Sequence, residues 1–470
     1  MKKLITLILT VNVLLWSVVV NADDSYLKEF NKFLSTKGVG KEINICKEEK
    51  KYSKKWFDAG CELRPGGVFI FQNDLKIKFY KDRSSIPWDG KPNYDTMLYY
   101  GFFYLEDNKG FSKIGVDASQ KPYVFDKDIR EDKNVKKQLE KTGMLSYLLY
   151  EDGKIVVDQK TPADRFGIIF DDDTLWTSAS MGKTMVSYVT GHAVCEGYIN
   201  SVDQKLNDWP LLENTVYYNQ KLSDMLNMAA GDQKYSNTSL TKNSNGDIKW
   251  SKNPNNNTIK FHMQNGIMVN TKSGANKYNY SNLVPNTVIS YVHYKAGADN
   301  FQKLLNKIFI EKAQVENEVY FVVMNSDSVK GAWNEKTKRW SRYDVNIDTD
   351  GAIRYSFRAS RYDYLRIAKA MLDDWNNDTC EGKYLKSLYE NRINKNNKYS
   401  NNKGSYFGSK GYAGFFHTNY PGSKKDVIMG MNGYGGQEIL INFTDNKIVS
   451  VNAIHDNYNW SKIVLSAIKN

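Results

Sequence analysis

The alternation of hydrophobic and polar residues changes character along the chain. Residues 23–140 combine short strand-like stretches with a charged helical pattern over 126–143. Residues 144–159 then predict a β-hairpin, because two β-rich runs are joined by Asp152 and Gly153, a dipeptide suited to the positive φ of a tight turn.

A helical middle and a β-rich end follow the hairpin. Residues 181 to about 400 are mostly helical in pattern, interrupted by a polar insertion near 232–277. Strand patterns return at 426–432, 437–443 and 447–454, and a short helix is predicted over 459–470. Strands at both ends of a helical middle indicate one sheet assembled from both termini of the domain.

These patterns predict an α/β (α+β) fold, in which an antiparallel sheet flanked by helices adjoins a mainly helical subdomain. The predicted domain covers residues 141–470, with its sheet drawn from 141–175 and 405–470 and its helical subdomain at about 181–400. Residues 23–140 are expected to form an N-terminal extension of unknown role.

The first 22 residues have the features of a secretory signal. Lys2 and Lys3 precede an apolar run at 4–20, and Ala22 ends a small-residue cleavage site. An uncleaved membrane anchor is the alternative, because the apolar run is long for a signal. No other stretch is apolar enough to span a bilayer, so we expect an exported protein, periplasmic or secreted, without a membrane span in its mature form.

The formal net charge is +12, and removal of Lys2 and Lys3 with the signal would leave +10. The lysines are scattered rather than gathered in one helix or arm, and export argues against nucleic acid as a partner. A generally basic surface is therefore expected.

Four cysteines are too few to make a disulfide scaffold of a chain this long. Cys46 and Cys61 are close in sequence and are the expected pair. Cys195 falls on a predicted helix, where a buried thiol is expected, and Cys380 has no evident partner.

Residues 182–184, Gly-Lys-Thr, could end a phosphate-binding loop, but such a loop needs a glycine where this chain has Thr177. The same stretch contains Ser180 followed three residues later by Lys183, at the start of an apolar helical pattern. Residues three apart are neighbours on a helix. A lysine with a lowered pKa could therefore take the serine proton.

The Ser-x-x-Lys spacing is not specific by itself. Ser239 and Lys242, and likewise Ser400 and Lys403, repeat it within Asn-rich stretches that lack an apolar helical face. We expect both of those pairs to lie in solvated loops.

A proton relay to the leaving group is also needed, and tyrosine can provide one. Tyr-Ser-Asn occurs at Tyr235, Tyr280 and Tyr399. Tyr280 is favoured, because only there does the tripeptide lead into an amphipathic helix, at 282–297.

The stretch 429–443 packs Gly433, Gly435 and Gly436 between two strand patterns. Glycine within strands marks a bulge or a close approach to the backbone. A substrate along this edge would gain main-chain hydrogen bonds, and one amide there could face an oxyanion together with the amide of Ser180. An ordinary glycine turn is the alternative.

These three elements in this order resemble the serine β-lactamase and penicillin-binding protein superfamily, specifically its class C-like branch, which includes esterases and 6-aminohexanoate-dimer hydrolase. The resemblance extends over residues 140–470 and includes four further segments. They are 146–159, 199–212, 222–232 and 357–374.

The resemblance implies a role for each matching residue. Ser180 would be the acylated nucleophile, Lys183 its activator and Tyr280 the proton shuttle, while Asn282 would bind a substrate amide or hold Lys183. The family's third motif, Lys-Thr-Gly or His-x-Gly, corresponds here to Tyr434, Gly435 and Gly436. The amides of Ser180 and Gln437 would then bind the oxyanion.

A neutral tyrosine in the third motif departs from the family pattern. Lysine there would attract the carboxylate of penicillins and D-Ala-terminated peptides, whereas tyrosine offers a hydrogen bond and a stacking face. We therefore expect small ester or amide substrates, including peptide-like ones, unless Arg358, Lys410 or another cation compensates. An inactive wall-binding or sensor module and an active β-lactamase or DD-peptidase are the alternatives.

No cofactor is expected. The five histidines lack the spacing of a metal pair, so a zinc site is not predicted. The insertion at 232–277, which contains Trp250, is expected to border the substrate cleft. Oligomeric state has no signal in the sequence.

Overall fold

The computed structural model describes residues 112–162, 170–233, 239–242, 248–251, 270–323, 332–334, 339–341, 353–395, 408–423 and 425–469. Several sequence-based expectations fall outside those ranges and stay predictions. They concern the signal segment 1–22, the extension over 23–111, the Cys46–Cys61 pair, Tyr235, Tyr399, the Ser400 and Lys403 pair, and most of the 232–277 insertion.

In chain order, the described strands are β1 (Ser112–Val116), β2 (Asp126–Lys127), β3 (Met144–Glu151), β4 (Lys154–Lys160), β5 (Trp176–Thr177), β6 (Ser239–Lys242), β7 (Ile248–Ser251), β8 (Val319–Val323), β9 (Ala332–Asn334), β10 (Arg339–Ser341), β11 (Ile353–Ala359), β12 (Ile393–Asn394), β13 (Gly411–Ala413), β14 (Phe416–Thr418), β15 (Ile428–Gly433), β16 (Gln437–Asn442) and β17 (Lys447–Ala453). The described α-helices are α1 (Lys133–Lys141), α2 (Gly182–Cys195), α3 (Leu222–Leu226), α4 (Leu283–Ala296), α5 (Ala298–Leu305), α6 (Arg361–Asn376), α7 (Cys380–Glu390) and α8 (Ser466–Lys469). Short 3₁₀ turns cover Ala179–Met181 and Pro210–Leu212, and π-helical turns cover Asn306–Lys312 and Ser461–Leu465.

The larger sheet has the strand order β12-β13-β14-β15-β16-β17-β3-β4-β2. Its neighbours are antiparallel except for the parallel pair β2 and β4. The two ends of the domain meet where β17 pairs with β3, with Val449 opposite Leu149. The expected antiparallel sheet is confirmed. Its two edge strands, β2 and β12, lie outside the ranges predicted for it, 141–175 and 405–470.

The predicted hairpin is also confirmed. Strands β3 and β4 are joined by Asp152 (φ 49°) and Gly153 (φ 85°). Positive φ at both central residues gives the turn the twist that matches the flanking strands.

A second, four-stranded sheet has the order β1-β8-β11-β5 and was not expected. Strands β8 and β11 lie within residues 181–400, where the pattern indicated mostly helix. Both runs are short, and a run of five to seven largely apolar residues does not distinguish a strand from a buried helical segment.

Strands β6 and β7 form a separate two-stranded pair within the insertion. The expectation that Ser239 and Lys242 lie in a solvated loop is therefore wrong, because they begin and end β6. The Asn-rich composition of this stretch favoured a loop. In the structure, the backbone of β6 hydrogen-bonds to β7.

Helix α2 runs through the main hydrophobic core. Residues 182–193 are all buried, because α4, α7 and β11 surround the helix. Some of its polar side chains bond within the helix and others bond to distant elements; the Thr190 hydroxyl donates to the Val186 carbonyl over 2.8 Å, and the Thr184 hydroxyl donates to the Phe415 carbonyl over 3.0 Å. The helix ends at Cys195, and Gly197 follows with φ 77°.

A smaller core layer lies on the other face of the larger sheet. Val135 and Leu139 of α1 pack there with Leu440 and with Ile463 of the C-terminal helical segment. Strand β1 pairs with β8, and β2 pairs with β4. The described part of the predicted extension is therefore joined to both sheets, whereas the organisation of residues 23–111 stays a prediction.

Cys195 and Cys380 form a disulfide with a Cα–Cα distance of 5.8 Å. The expectations of a buried thiol at Cys195 and of no partner for Cys380 are therefore wrong. The pair joins the end of α2 to the start of α7, across 185 residues of sequence. This pairing depends on how α2 and α7 pack together, and the spacing of the cysteines along the sequence does not reveal that packing.

Candidate active site

Ser180 lies between β5 and α2, in a segment held firmly against β11. The Ser178 amide donates to the Phe357 carbonyl over 2.8 Å, and the Phe357 amide donates to Ser178 Oγ over 2.9 Å. Ala179 then adopts φ 44°, in the left-handed region that residues with a side chain rarely occupy. Ser180 is therefore presented on a tight turn at the start of the buried helix.

Lys183 is the immediate neighbour of Ser180. Its Nζ lies 2.8 Å from Ser180 Oγ, and the residue is only 1% exposed. Burial lowers the pKa of Lys183 well below its ordinary value, and the positive charge of Arg354 lowers it further. This environment favours the neutral form of the amine, which can accept a proton.

Tyr280 approaches the same two groups from the start of α4. Its ring centroid lies 4.7 Å from Lys183 Nζ. Burial raises the pKa of Tyr280, and the Ser180 side chain acts to lower it. The local cause of its position is Ser281, whose Oγ accepts hydrogen bonds from the amides at the start of α4, including that of Leu283 over 3.1 Å.

Asn282 faces another phenol. Its Oδ1 accepts a hydrogen bond of 3.0 Å from the hydroxyl of Tyr355. The resemblance had suggested a substrate amide or Lys183 as the group that Asn282 binds. The contact found here is with Tyr355, which the sequence analysis did not select, and the two suggested roles stay predictions.

Tyr355 and Arg354 were missed, and both come from β11. The Tyr355 ring centroid is 3.8 Å from Lys183 Nζ. Burial raises the pKa of Tyr355 to about 12, against the lowering effect of Arg354. No motif marks these residues; the only available signal was an arginine and a tyrosine within a mostly apolar run.

The glycine-rich hairpin of β15 and β16 lies beside the Ser180 segment. A side chain at Gly433 would overlap the Ser178 carbonyl, so glycine permits the close approach. Gly435 and Gly436 have φ values of 88° and 90°, and the Gly436 amide donates to the Gly433 carbonyl over 3.1 Å. Tyr434 is partly buried against the core.

Gln437 begins β16 and its side chain points into the sheet. Its amide nitrogen donates to the Ala453 carbonyl, and its Oε1 accepts from Asn452 over 3.2 Å. These bonds occupy the side chain. Any role of Gln437 at the site would therefore belong to its main chain.

The sequence analysis considered Arg358 and Lys410 as substitutes for the third-motif lysine. Their surroundings differ from those of Arg354. Arg358 is 2% exposed, and its guanidinium donates to the Leu175 carbonyl over 3.2 Å. Lys410 is exposed, and its amide donates to the Asn419 carbonyl in the neighbouring hairpin. Arg354 is the cation whose charge lowers the pKa of both Lys183 and Tyr355.

A second buried polar cluster adjoins the site. Lys395 Nζ lies 2.6 Å from Ser409 Oγ and 3.1 Å from Nδ1 of His417. Burial lowers the pKa of Lys395 to about 7. Burial, and then the charges of Lys395 and Lys183, also lower the pKa of His417.

Among the residues that the structure describes, no group of three or more His, Cys, Asp or Glu side chains is arranged to hold a metal ion. Within those same ranges, no helix combines the length and apolar character needed to cross a membrane. A cavity of about 290 Å³ lies elsewhere, lined mainly by charged residues that include Glu131, Lys136 and Asp158.

Comparison with solved structures gives a match to a candidate 6-aminohexanoate-dimer hydrolase from Bacillus anthracis, with a TM-score of 0.55 and 12% identity over 83% of this chain and 94% of the other. A β-lactamase from Sulfitobacter sp. EE-36 matches with a TM-score of 0.46 and 14% identity, over 69% of this chain and 91% of its own. FmtA from Staphylococcus aureus matches with a TM-score of 0.42 and 16% identity, over 78% and 96% respectively. No protein-family model and no curated protein sequence matches the chain.

Proposed function

We propose that this chain, which has the fold of the serine β-lactamase and penicillin-binding protein superfamily, is a serine hydrolase that cleaves an ester or amide through an acyl-enzyme on Ser180. The observation that supports this most directly is the buried Lys183 Nζ, 2.8 Å from Ser180 Oγ. A neutral amine at hydrogen-bond distance can accept the serine proton, which is what a weak oxygen nucleophile requires.

Acylation would proceed in two balanced steps. As Oγ of Ser180 bonds to the substrate carbonyl carbon, its proton moves to the lone pair of Lys183 and the carbonyl π pair moves onto oxygen. When that oxyanion collapses, the bond to the leaving group breaks and the leaving atom takes the proton back from Lys183 through Tyr280. Water would then repeat both steps on the acyl-enzyme.

The oxyanion needs fixed donors at the moment when its charge develops. The amides of Ser180 and Gln437 are the proposed donors. The close approach of Gly433 to Ser178 supports this assignment, because it brings the β15 and β16 hairpin against the nucleophile's segment.

The proposed substrates are small esters or amides, including peptide-like ones, without an obligatory carboxylate. Tyr434 is uncharged and aromatic, and Tyr280 and Tyr355 add further ring surface around Lys183. The Bacillus anthracis structure carries a name that refers to a dimer of 6-aminohexanoate, two units joined by an amide bond. A linear amide is therefore included in the class to be tested.

Export to the periplasm or the medium is part of the proposal. The disulfide between Cys195 and Cys380 supports it independently of residues 1–22, because such bonds persist mainly in oxidising compartments. N-terminal sequencing of the mature protein should begin at Asp23. A mature chain that retains residues 1–22 would indicate an anchor instead.

Arg354 favours one alternative, an active β-lactamase or DD-peptidase. Its charge acts on the site, and a substrate carboxylate could pair with a guanidinium there. The altered third motif favours the other alternative, an inactive binding or sensor module.

One experiment separates these functions. The folded chain should be labelled by a fluorophosphonate, and Ser180→Ala should abolish both labelling and hydrolysis of p-nitrophenyl acetate. Labelled penicillin captured at Ser180, together with nitrocefin turnover, would favour the lactamase or peptidase. A folded protein that neither labels nor turns over short esters, linear amides or nitrocefin would contradict a hydrolase.

A further inference from the structure

Asp232 is a buried carboxylate that the reaction itself does not use. The residue is 0% exposed, and its Oδ2 accepts a hydrogen bond of 2.8 Å from the hydroxyl of Tyr217. Its Oδ1 accepts a longer bond of 3.4 Å from Nδ2 of Asn279. Burial raises the pKa of Asp232 to about 6, while its neighbours, including these two side chains, act to lower it. Both donors are neutral, so neither bond compensates the buried charge with a cation.

Asn279 connects this carboxylate to the catalytic tyrosine, because it is the residue immediately before Tyr280. It is buried, and its main-chain amide donates to the Met228 carbonyl over 2.7 Å. A second bond joins the same two segments, from the Gly274 amide to the Gly231 carbonyl over 2.6 Å. The loop that follows α3 therefore holds the chain that leads into the catalytic tyrosine.

Tyr280 depends on this support because its ring has to stay close to the base. The ring centroid is 4.7 Å from Nζ of Lys183. On the C-terminal side of Tyr280, Ser281 fixes the backbone by accepting from the amides at the start of α4. On the N-terminal side, Asn279 has the corresponding role. A reacting side chain is held accurately only when the groups around it are themselves fixed.

We propose that Asp232 is a positioning residue, which holds the phenol of Tyr280 in place through Asn279. The proposal rests on the proposed function, in which Tyr280 returns the proton to the leaving group. Asp232 takes no part in bond making. A carboxylate suits this role because its two oxygens accept from both buried donors at once.

The leaving group of an ester reveals whether Tyr280 has been displaced. Phenyl acetate releases a more basic leaving group than p-nitrophenyl acetate, so it depends more on a donated proton. Asp232→Ala leaves two buried donors without their acceptor. It should lower kcat/KM roughly tenfold for phenyl acetate, and by about threefold at most for p-nitrophenyl acetate, because the phenol is misplaced rather than removed. Tyr280→Phe should show the same preference between the esters with a larger loss.

Two further variants test the route through Asn279. Asn279→Ala should reproduce the ester-selective loss, and combining it with Asp232→Ala should add less than about twofold, since the two side chains act as one unit. Asp232→Asn should keep phenyl acetate within about threefold of wild type. Its oxygen can accept from Asn279, and its amide can donate to the phenol oxygen of Tyr217.

Asp374→Ala is the matched control. That carboxylate is also buried and accepts from a phenol, the hydroxyl of Tyr188 over 2.6 Å, but it lies on α6. The control should lower the melting temperature without changing the ratio of the two ester rates.

Equal losses for both esters in Asp232→Ala, or wild-type rates for both, would overturn the proposal. If Asp232→Ala does not fold, Asn279→Ala decides by the same criterion. A folded wild-type chain that hydrolyses neither ester and resists fluorophosphonate would instead overturn the proposed function, and this proposal with it.

Discussion

Gly182 lies directly against the backbone carbonyl of Tyr355. A Cβ atom at Gly182 would overlap that carbonyl and also press on Ser178 Oγ. The backbone of Gly182 is ordinary helix, with φ −60°, so the glycine is required for space rather than for conformation. This contact sets the distance between the start of α2, which carries Lys183 and follows Ser180, and β11, which carries Tyr355.

Gly182→Ala should therefore displace the site without preventing helix formation. We expect kcat/KM for p-nitrophenyl acetate to fall on the order of a hundredfold, since a shift near 1 Å in a catalytic arrangement can have that effect. Gly191→Ala is the control, because its Cβ would meet the Tyr384 ring farther along the same helix. It should lower the melting temperature while largely preserving kcat/KM. Wild-type activity in Gly182→Ala would show that this contact does not position the site.

Lys183→Arg should be as inactive as Lys183→Met. Arginine keeps the positive charge and the donors but does not lose its proton, so it cannot act as a base. The expected loss in kcat is on the order of 10² to 10⁴, measured as the rate of acylation by p-nitrophenyl acetate. Appreciable activity in Lys183→Arg would mean that the lysine acts through its charge.

The same residue predicts a pH profile. Because the pKa of Lys183 is lowered from its ordinary 10.5, the neutral base is available well below that pH and is lost as pH falls through the folded-state pKa. The rate of fluorophosphonate labelling should rise with pH and then reach a plateau. A flat profile from mildly acidic to alkaline pH would remove Lys183 as the base.

Lys395 should make the stability of the fold depend on pH. Its pKa is about 7 in the folded protein against 10.5 as the ordinary value, so between those limits the unfolded chain binds one more proton. The free energy of unfolding should then rise with pH across this window, and the destabilisation should be complete below about pH 7. Lys395→Met should reduce the slope by up to about 1.4 kcal/mol per pH unit.

Urea unfolding at several pH values from 6 to 10 measures that slope. Lys410→Met is a suitable control, because Lys410 is exposed and lies immediately before β13. Equal slopes in wild type and Lys395→Met would contradict a buried, neutral Lys395.

The disulfide between Cys195 and Cys380 should stabilise the domain chiefly by restricting the unfolded chain. If the disulfide acts only by lowering the entropy of the unfolded chain, its separation of 185 residues gives an upper estimate of about 5 kcal/mol of stabilisation. The double variant Cys195→Ser with Cys380→Ser should lose several kcal/mol of unfolding free energy in urea but keep fluorophosphonate labelling at Ser180. Equal stability with and without the disulfide would show that α2 and α7 are held together without it.

The local parts of the fold and site were predictable from the sequence. The Asp152 and Gly153 turn depends on two adjacent residues, and the three-residue spacing of Ser180 and Lys183 is one helical turn. Tyr280 was found because Ser281 and the helix after it lie next to it in the chain. In each case, the interacting groups belong to one element, so periodicity and turn chemistry contain the information.

Tertiary structure decided everything that joins separate elements. Tyr355 and Arg354 reach Lys183 only because β11 packs against α2, and Cys380 reaches Cys195 only because α7 packs beside the same helix. The lowered pKa of Lys183 also depends on tertiary structure, because only the packed interior excludes water from the amine. The sequence by itself determined which groups could react, whereas the order of strands and helices determined their partners and their charge.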